Sequence, residues 1–133
     1  MTASSLQTSV LRYFRGVDTE DLPLLLGTLS PNCVFSIETH GVTLNGHDEI
    51  AGMFERLWSN HKSVCHENFY FTEDQENGLI ATRFRVVNVH HDDQIATKSN
   101  CNFFTSDGDL FSEVRVYMAG ENTLDHKTKT SLA

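Results

Sequence analysis

The chain has 133 residues, 39% of them apolar, and a formal charge of −8 from 18 Asp and Glu against 10 Lys and Arg. A single domain of this length buries a core without disulfides or a metal. The acidic balance disfavours a nucleic acid or an anionic membrane as partner, since both require a cationic face. No apolar run reaches the ~20 residues that span a bilayer, and Met1 to Ser5 lacks a basic or apolar leader, so a cytoplasmic protein is expected. Cys33, Cys65 and Cys101 are odd in number and lack CxxC spacing. They read as reduced thiols, not as a disulfide framework or a zinc site.

Leu6, Val10, Tyr13, Phe14 and Val17 recur at helical spacing and predict the first element. Ser4 and Gln7 have capping-box spacing, and Gly16 is read as its stop. A short second helix is expected to begin near Asp18 or Thr19 with Pro23 in its first turn. Leu22, Leu25, Leu26 and Leu29 form its buried face, and Ser30-Pro31-Asn32 ends it. Strands are predicted from Cys33 to Glu38 and from Val42 to Leu44. Asn45-Gly46 then turns the chain into a third helix, whose stripe is Ile50, Met53, Phe54, Leu57, Trp58 and His61.

From Ser63 the pattern changes to alternation. Strands are expected at Val64 to Thr72, Leu79 to His90, Gln94 to Thr105 and Leu110 to Met118. Glu76-Asn77-Gly78, His91-Asp92-Asp93 and Ser106-Asp107-Gly108-Asp109 separate them as turns, and such short connections imply an antiparallel meander. A polar tail, 121–133, follows a core of 6–120.

Three stretches, taken in this order, resemble the SnoaL-like, ketosteroid-isomerase-like branch of the nuclear transport factor 2-like superfamily. They are Phe35 to Leu57 with its Gly46 and Ile50/Phe54/Leu57 helix, Ala81-Thr82-Arg83-Phe84-Arg85 with His90 beyond, and Asp107-Gly108-Asp109-Leu110 leading into Glu113-Val114-Arg115-Val116-Tyr117. The resemblance implies a single α+β domain over 1–133 with the order α-α-β-β-α-β-β-β-β. It also implies a cone in which a curved antiparallel sheet wraps helices around an internal pocket, no cofactor, and a homodimer through the outer sheet face. Such folds host cofactor-independent isomerases, cyclases and dehydratases as well as non-catalytic modules, so fold alone does not assign function.

In the strand 79–90, alternation puts Ile80, Thr82, Phe84, Val86, Asn88 and His90 on one side, and the resemblance turns that side inward. Arg83 and Arg85 then face out. In the last strand the resemblance turns Glu113, Arg115 and Tyr117 inward, away from the Val114 and Val116 side. Isomerases of this shape carry a carboxylate late in the first strand, where this chain has Ile37 followed by Glu38. Cyclases carry an acid at the end of the last strand, where it has Ala119. Dehydratases carry a histidine after the third helix, which matches His66, with His90 expected opposite it. The catalytic candidates are therefore Glu38, His66, His90 and Tyr117, and the ligand-contacting candidates are Phe14, Phe35, Phe54, Trp58, Phe84 and Glu113.

Each candidate also has a structural reading: His66 as an edge histidine in water, Tyr117 as a core tyrosine, Glu113 as a partner of Arg115 or Arg83, the aromatics as ordinary core. His40, His47 and His61 read as isolated surface residues. His90-His91-Asp92-Asp93 does not read as a metal site, because adjacent strand residues point in opposite directions. Two functions stay open: acid–base chemistry on a small hydrophobic, oxygenated molecule, or binding without catalysis. A scaffold using the outer face is a third.

Overall fold

A computed structural model of the chain describes residues 4–119; the polar tail at 121–133 lies outside the described residues. The helices are α1 (Ser5–Asp18), α2 (Leu22–Leu26) and α3 (Gly46–Asn60), and the strands are β1 (Leu29–Ile37), β2 (Val42–Asn45), β3 (Ser63–Asp74), β4 (Leu79–Val89), β5 (Ile95–Asp107) and β6 (Leu110–Tyr117). The order is the expected one. The six strands form one sheet in the order β2-β1-β6-β5-β4-β3.

β3 to β6 pair antiparallel as a meander, but β1 joins β6 in parallel, so the sheet is mixed rather than wholly antiparallel. The cause is the connection: α3 and four strands intervene between β1 and β6, and a long crossover permits parallel pairing where a tight turn does not. The helices lie on one face of the sheet. Their apolar stripes meet Phe35, Ile80, Phe84, Phe104, Phe111 and Val114 in a single buried core.

Two boundaries differ from expectation. Gly16 does not stop α1, which runs on to Asp18. A Cβ at Gly16 would lie 2.8 Å from the Cα, Cβ and N of Leu25, so the missing side chain is what lets α2 cross α1 closely. Asp21, rather than Asp18 or Thr19, caps α2 by accepting from the Leu24 N–H at 3.1 Å, with Pro23 in the first turn. Leu29 and Ser30-Pro31-Asn32 belong to β1, whose pairing with β6 is irregular between Leu29 and Val34.

In β3 the register passes from Glu67 opposite Arg85 to Tyr70 opposite Arg83, leaving Asn68 and Asn68's neighbour Phe69 against one β4 residue. This is a β-bulge, and Asn68 takes a left-handed φ of 59° there. It resets the alternation, so that Val64 and His66 before it and Phe69 and Phe71 after it all turn toward the helices while Tyr70 faces out. Gly16→Ala is expected to lower stability by about 1–3 kcal/mol through overpacking against Leu25. A chemical-denaturation midpoint unchanged from wild type would contradict the close-approach account.

Candidate functional site

α1, α3 and the concave side of the sheet bound a partly open cavity of about 60 Å³. Its apolar wall includes Phe14, Phe35, Met53, Phe54, Phe84 and Val116, and its polar wall is His66, Asn88, Lys98, Asn100 and Asn102, with Tyr13 at the α1 side.

The continuation of α1 to Asp18 brings a carboxylate beside β3. Asp18 Oδ1 accepts from His66 Nδ1 at 2.5 Å, and its Oδ2 accepts from the His66 backbone N–H at 2.8 Å. A carboxylate only accepts, so the ring proton sits on Nδ1 and Nε2 is left as the basic nitrogen. The ring is held between Phe14 and Phe84, with centroids 4.8 and 5.4 Å away. The dyad is mostly withdrawn from water, with side-chain exposures of 11% for His66 and 23% for Asp18. A histidine oriented by a carboxylate and opening on an apolar cavity is equipped to take up and return a proton.

Phe14, Phe35, Phe54 and Phe84 line the cavity as expected, and β4 presents its Phe84 side inward with Arg83 and Arg85 exposed. Trp58 does not line it; the indole donates to the Val17 carbonyl at 2.9 Å and ties α3 to α1. His90 is buried, but it lies beyond the last β3–β4 pair, Ser63 with Val89, whereas His66 pairs with Val86. It therefore does not stand opposite His66. Its ring meets that of His61 at 5.2 Å, and its Nε2 is buried without a partner among the described residues.

The expected facing of β6 is overturned. Val114 and Val116 are buried, while Arg115 and Tyr117 are exposed and Glu113 takes both a 2.9 Å and a 3.1 Å hydrogen bond from Arg115 on the outer side. The Arg115 guanidinium holds the Glu113 carboxyl below its ordinary range. Glu38 leaves β1 in a tight helical turn, exposed, with Arg115 3.9 Å away. Ile37 is fully buried in the core, so neither residue offers a carboxylate to the cavity.

Tyr13, Lys98, Asn100 and Asn102, which line the cavity, and Asp18, which holds His66, are residues that the sequence reading did not single out for the site. Asp18 was read as a helix start, and the β5 asparagines mimic a solvent-facing row. Burial raises the Tyr13 phenol well above its ordinary value, so it stays a neutral donor. Cys33 is pushed up to about 12 by burial and by Glu113, which makes it an inert thiol; Cys65 is exposed and Cys101 half-buried, both raised chiefly by desolvation. Among the described residues no cluster of three or more His, Cys, Asp or Glu is placed to hold a metal, and no helix is long and apolar enough to cross a membrane.

No protein-family model matches the sequence, and no curated protein is significantly similar to it. Solved structures are similar in shape. A nuclear transport factor 2-like protein from Burkholderia pseudomallei superposes with a TM-score of 0.76 at 16% identity, covering 91% of this chain and 93% of that one. A presumptive SnoaL-like polyketide cyclase from Shewanella denitrificans gives 0.78 at 12% identity, covering 87% and 91%. The fold is the nuclear transport factor 2-like cone. TerC, co-crystallised with polyporic acid, shares this cone with a TM-score of 0.76 at 14% identity over 86% of this chain and 92% of its own.

Within this cone, His61 is buried rather than on the surface; its Nδ1 donates to the Leu57 carbonyl at 2.8 Å. Burial holds its pKa below the ordinary 6.5, against the Leu57 hydrogen bond, with His90, Lys98 and His91 adding to the lowering. A ring kept neutral in the fold but protonated once unfolded adds stability above 6.5 that is lost as the pH falls through the lowered folded value. The melting temperature is expected to drop as the pH goes below 6.5, and to drop less steeply in His61→Phe. Parallel pH profiles for the two proteins would contradict this.

Proposed function

We propose that the cone cavity binds a small hydrophobic, oxygenated molecule and that His66, oriented by Asp18, moves a proton on it. The observation that carries the reading is the paired hydrogen bonding of Asp18 to the ring and backbone of His66 at the cavity wall. On a β-hydroxy ketone, Nε2 would take the proton next to the carbonyl, the C–C double bond would form as the C–O bond breaks, and the same proton would return to the departing hydroxyl as water. On an enone the proton would be returned to a different carbon, giving an isomerase. The reaction needs no cofactor. TerC, which has the same cone, is co-crystallised with polyporic acid, and this supports a small organic ligand here.

The alternative reading is a binding module without catalysis, favoured by the outward placement of Glu38 and Tyr117. A panel of enones and β-hydroxy ketones separates the two. Turnover is expected in wild type, with kcat reduced roughly 10²–10⁴-fold in His66→Ala, and reduced with little change in KM in Asp18→Asn. Turnover that survives in His66→Ala would remove the proton-transfer role. Binding without turnover by wild type would establish the alternative.

We also infer a homodimer through the outer sheet face. Tyr70, Phe103 and Tyr117 stand 59%, 49% and 39% exposed there, and the rings of Phe103 and Tyr117 meet edge to face at 5.6 Å. Exposed aromatics on one sheet face mark an interaction surface. Light scattering is expected to give twice the 15.0 kDa chain mass, and the single-chain mass in Phe103→Glu. A wild-type mass of one chain at micromolar concentration would contradict the dimer.

A further inference from the structure

β5 turns an unusual set of side chains to the cavity. Lys98, Asn100 and Asn102 all line it, together with Asn88 from β4. Asn88, Asn100 and Asn102 are only 4%, 8% and 2% exposed, in a wall otherwise built of aromatic and aliphatic groups. Buried amides are normally paired, because an unpaired polar group away from water costs about 1–3 kcal/mol. Here the Oδ1 atoms of Asn88 and Asn102 have no partner among the described residues.

Asn100 is the informative one. Its Oδ1 accepts from the Ala119 backbone N–H at 3.0 Å. A backbone N–H can only donate, so the orientation of the amide is fixed, and its NH2 end is a donor turned away from that bond in a residue that lines the cavity. Asn100 is thus a donor of settled direction, whereas Asn88 and Asn102 keep acceptors unmet.

The strand register places these groups relative to the dyad. His66 pairs with Val86, and Val86 pairs with Lys98, so the three stand at one level across β3, β4 and β5. Asn88 lies two residues from that level in one direction, and Asn100 two residues in the other, each roughly 7 Å along its strand. Two strand spacings separate β3 from β5, about 10 Å. With the ~7 Å offset, the His66 and Asn100 backbones stand roughly 12 Å apart, a span that their side chains and one six-membered ring cover together. At about 60 Å³ the pocket is far below the ~300–1,000 Å³ that encloses drug-sized ligands, and below the ~150 Å³ that holds a benzene ring, so one ring is the upper limit and reaches the open side of the pocket.

Taking the same cavity as the ligand site proposed above, we propose that Asn88, Asn100 and Asn102 are its specificity-determining residues. The ligand class they select is a compact, ring-sized hydroxy ketone, whose carbonyl oxygen accepts from Asn100 Nδ2 and whose hydroxyl groups donate to the free amide oxygens of Asn102 or Asn88. This orients the carbonyl edge toward β5 and leaves the opposite edge of the ring to His66. Apolar molecules of the same shape would leave the oxygens of Asn88 and Asn102 unmet, would accept nothing from Asn100, and would bind less well.

The test uses three probes of matched shape that cannot lose water: meta-hydroxyacetophenone, acetophenone and ethylbenzene. Binding to the isotope-labelled full chain is followed by NMR titration. Affinity is expected to fall in that order, each lost oxygen costing roughly three- to tenfold. Asn100→Leu should erase the difference between ketone and hydrocarbon, and Asn102→Leu with Asn88→Leu the difference made by the hydroxyl. If Asn100→Leu fails to fold for want of its bond to Ala119, the other two variants carry the test, since their amide oxygens hold no partner to lose. Equal affinity for the three probes, or no detectable binding of meta-hydroxyacetophenone at millimolar concentration, would overturn the proposal. Selective binding without turnover of any β-hydroxy ketone would remove only the proton-transfer reading.

Discussion

The architecture of the cavity depends on one carboxylate at the end of one helix. Asp18 reaches β3 with both oxygens, one on the His66 ring and one on its backbone N–H. That contact sets the distance between α1 and the sheet, and with it the space that Phe14, Phe84 and the β5 asparagines share. It also decides which nitrogen of the imidazole carries a proton. Position and chemistry therefore have the same cause. α1 can extend so far only because Gly16 lets α2 cross it at Leu25 without a side chain between them.

The inner and outer faces of the sheet do different things with similar residue types. Inside, charged and amide groups are few, and two of them are held by specific bonds: a carboxylate orienting a ring, and an amide fixed by a backbone donor. Outside, the ion pairs are exposed or half-exposed, as between Arg115 and Glu113 and between Arg85 and Glu67. Such pairs contribute little to stability. They keep a sheet face that also carries Tyr70, Phe103 and Tyr117 from being uniformly apolar.

The fold was legible wherever hydropathy and period agreed. The α3 stripe and the β4 alternation each gave the correct buried face, and the turns at Asn77-Gly78, Asp92-Asp93 and Gly108-Asp109 fell where the connections are. The site was less legible, for physical reasons. In β5 the cavity row is Lys98, Asn100 and Asn102 while Phe103 faces water, so polarity and burial run opposite to the usual rule. In β6 alternation separated Val114 and Val116 from Glu113, Arg115 and Tyr117 without saying which side is inner, and the inward placement of Glu113 and Tyr117 came from distant resemblance. Burial of the two valines decides it. His66 and the four cavity phenylalanines were found by position in the chain, but Asp18 was not, because its role depends on how far α1 continues past a glycine.

The extra residue at Asn68 has a consequence for how such a protein changes over time. It divides β3 into two lengths whose side-chain parity is set separately, the first carrying the imidazole and the second the aromatic wall of Phe69 and Phe71. A gain or loss of one residue at that point would rotate one length by a half-turn while leaving the other in place. A reactive group could thus be withdrawn to the surface, or a different one brought in, by a single codon's length and without rebuilding the container.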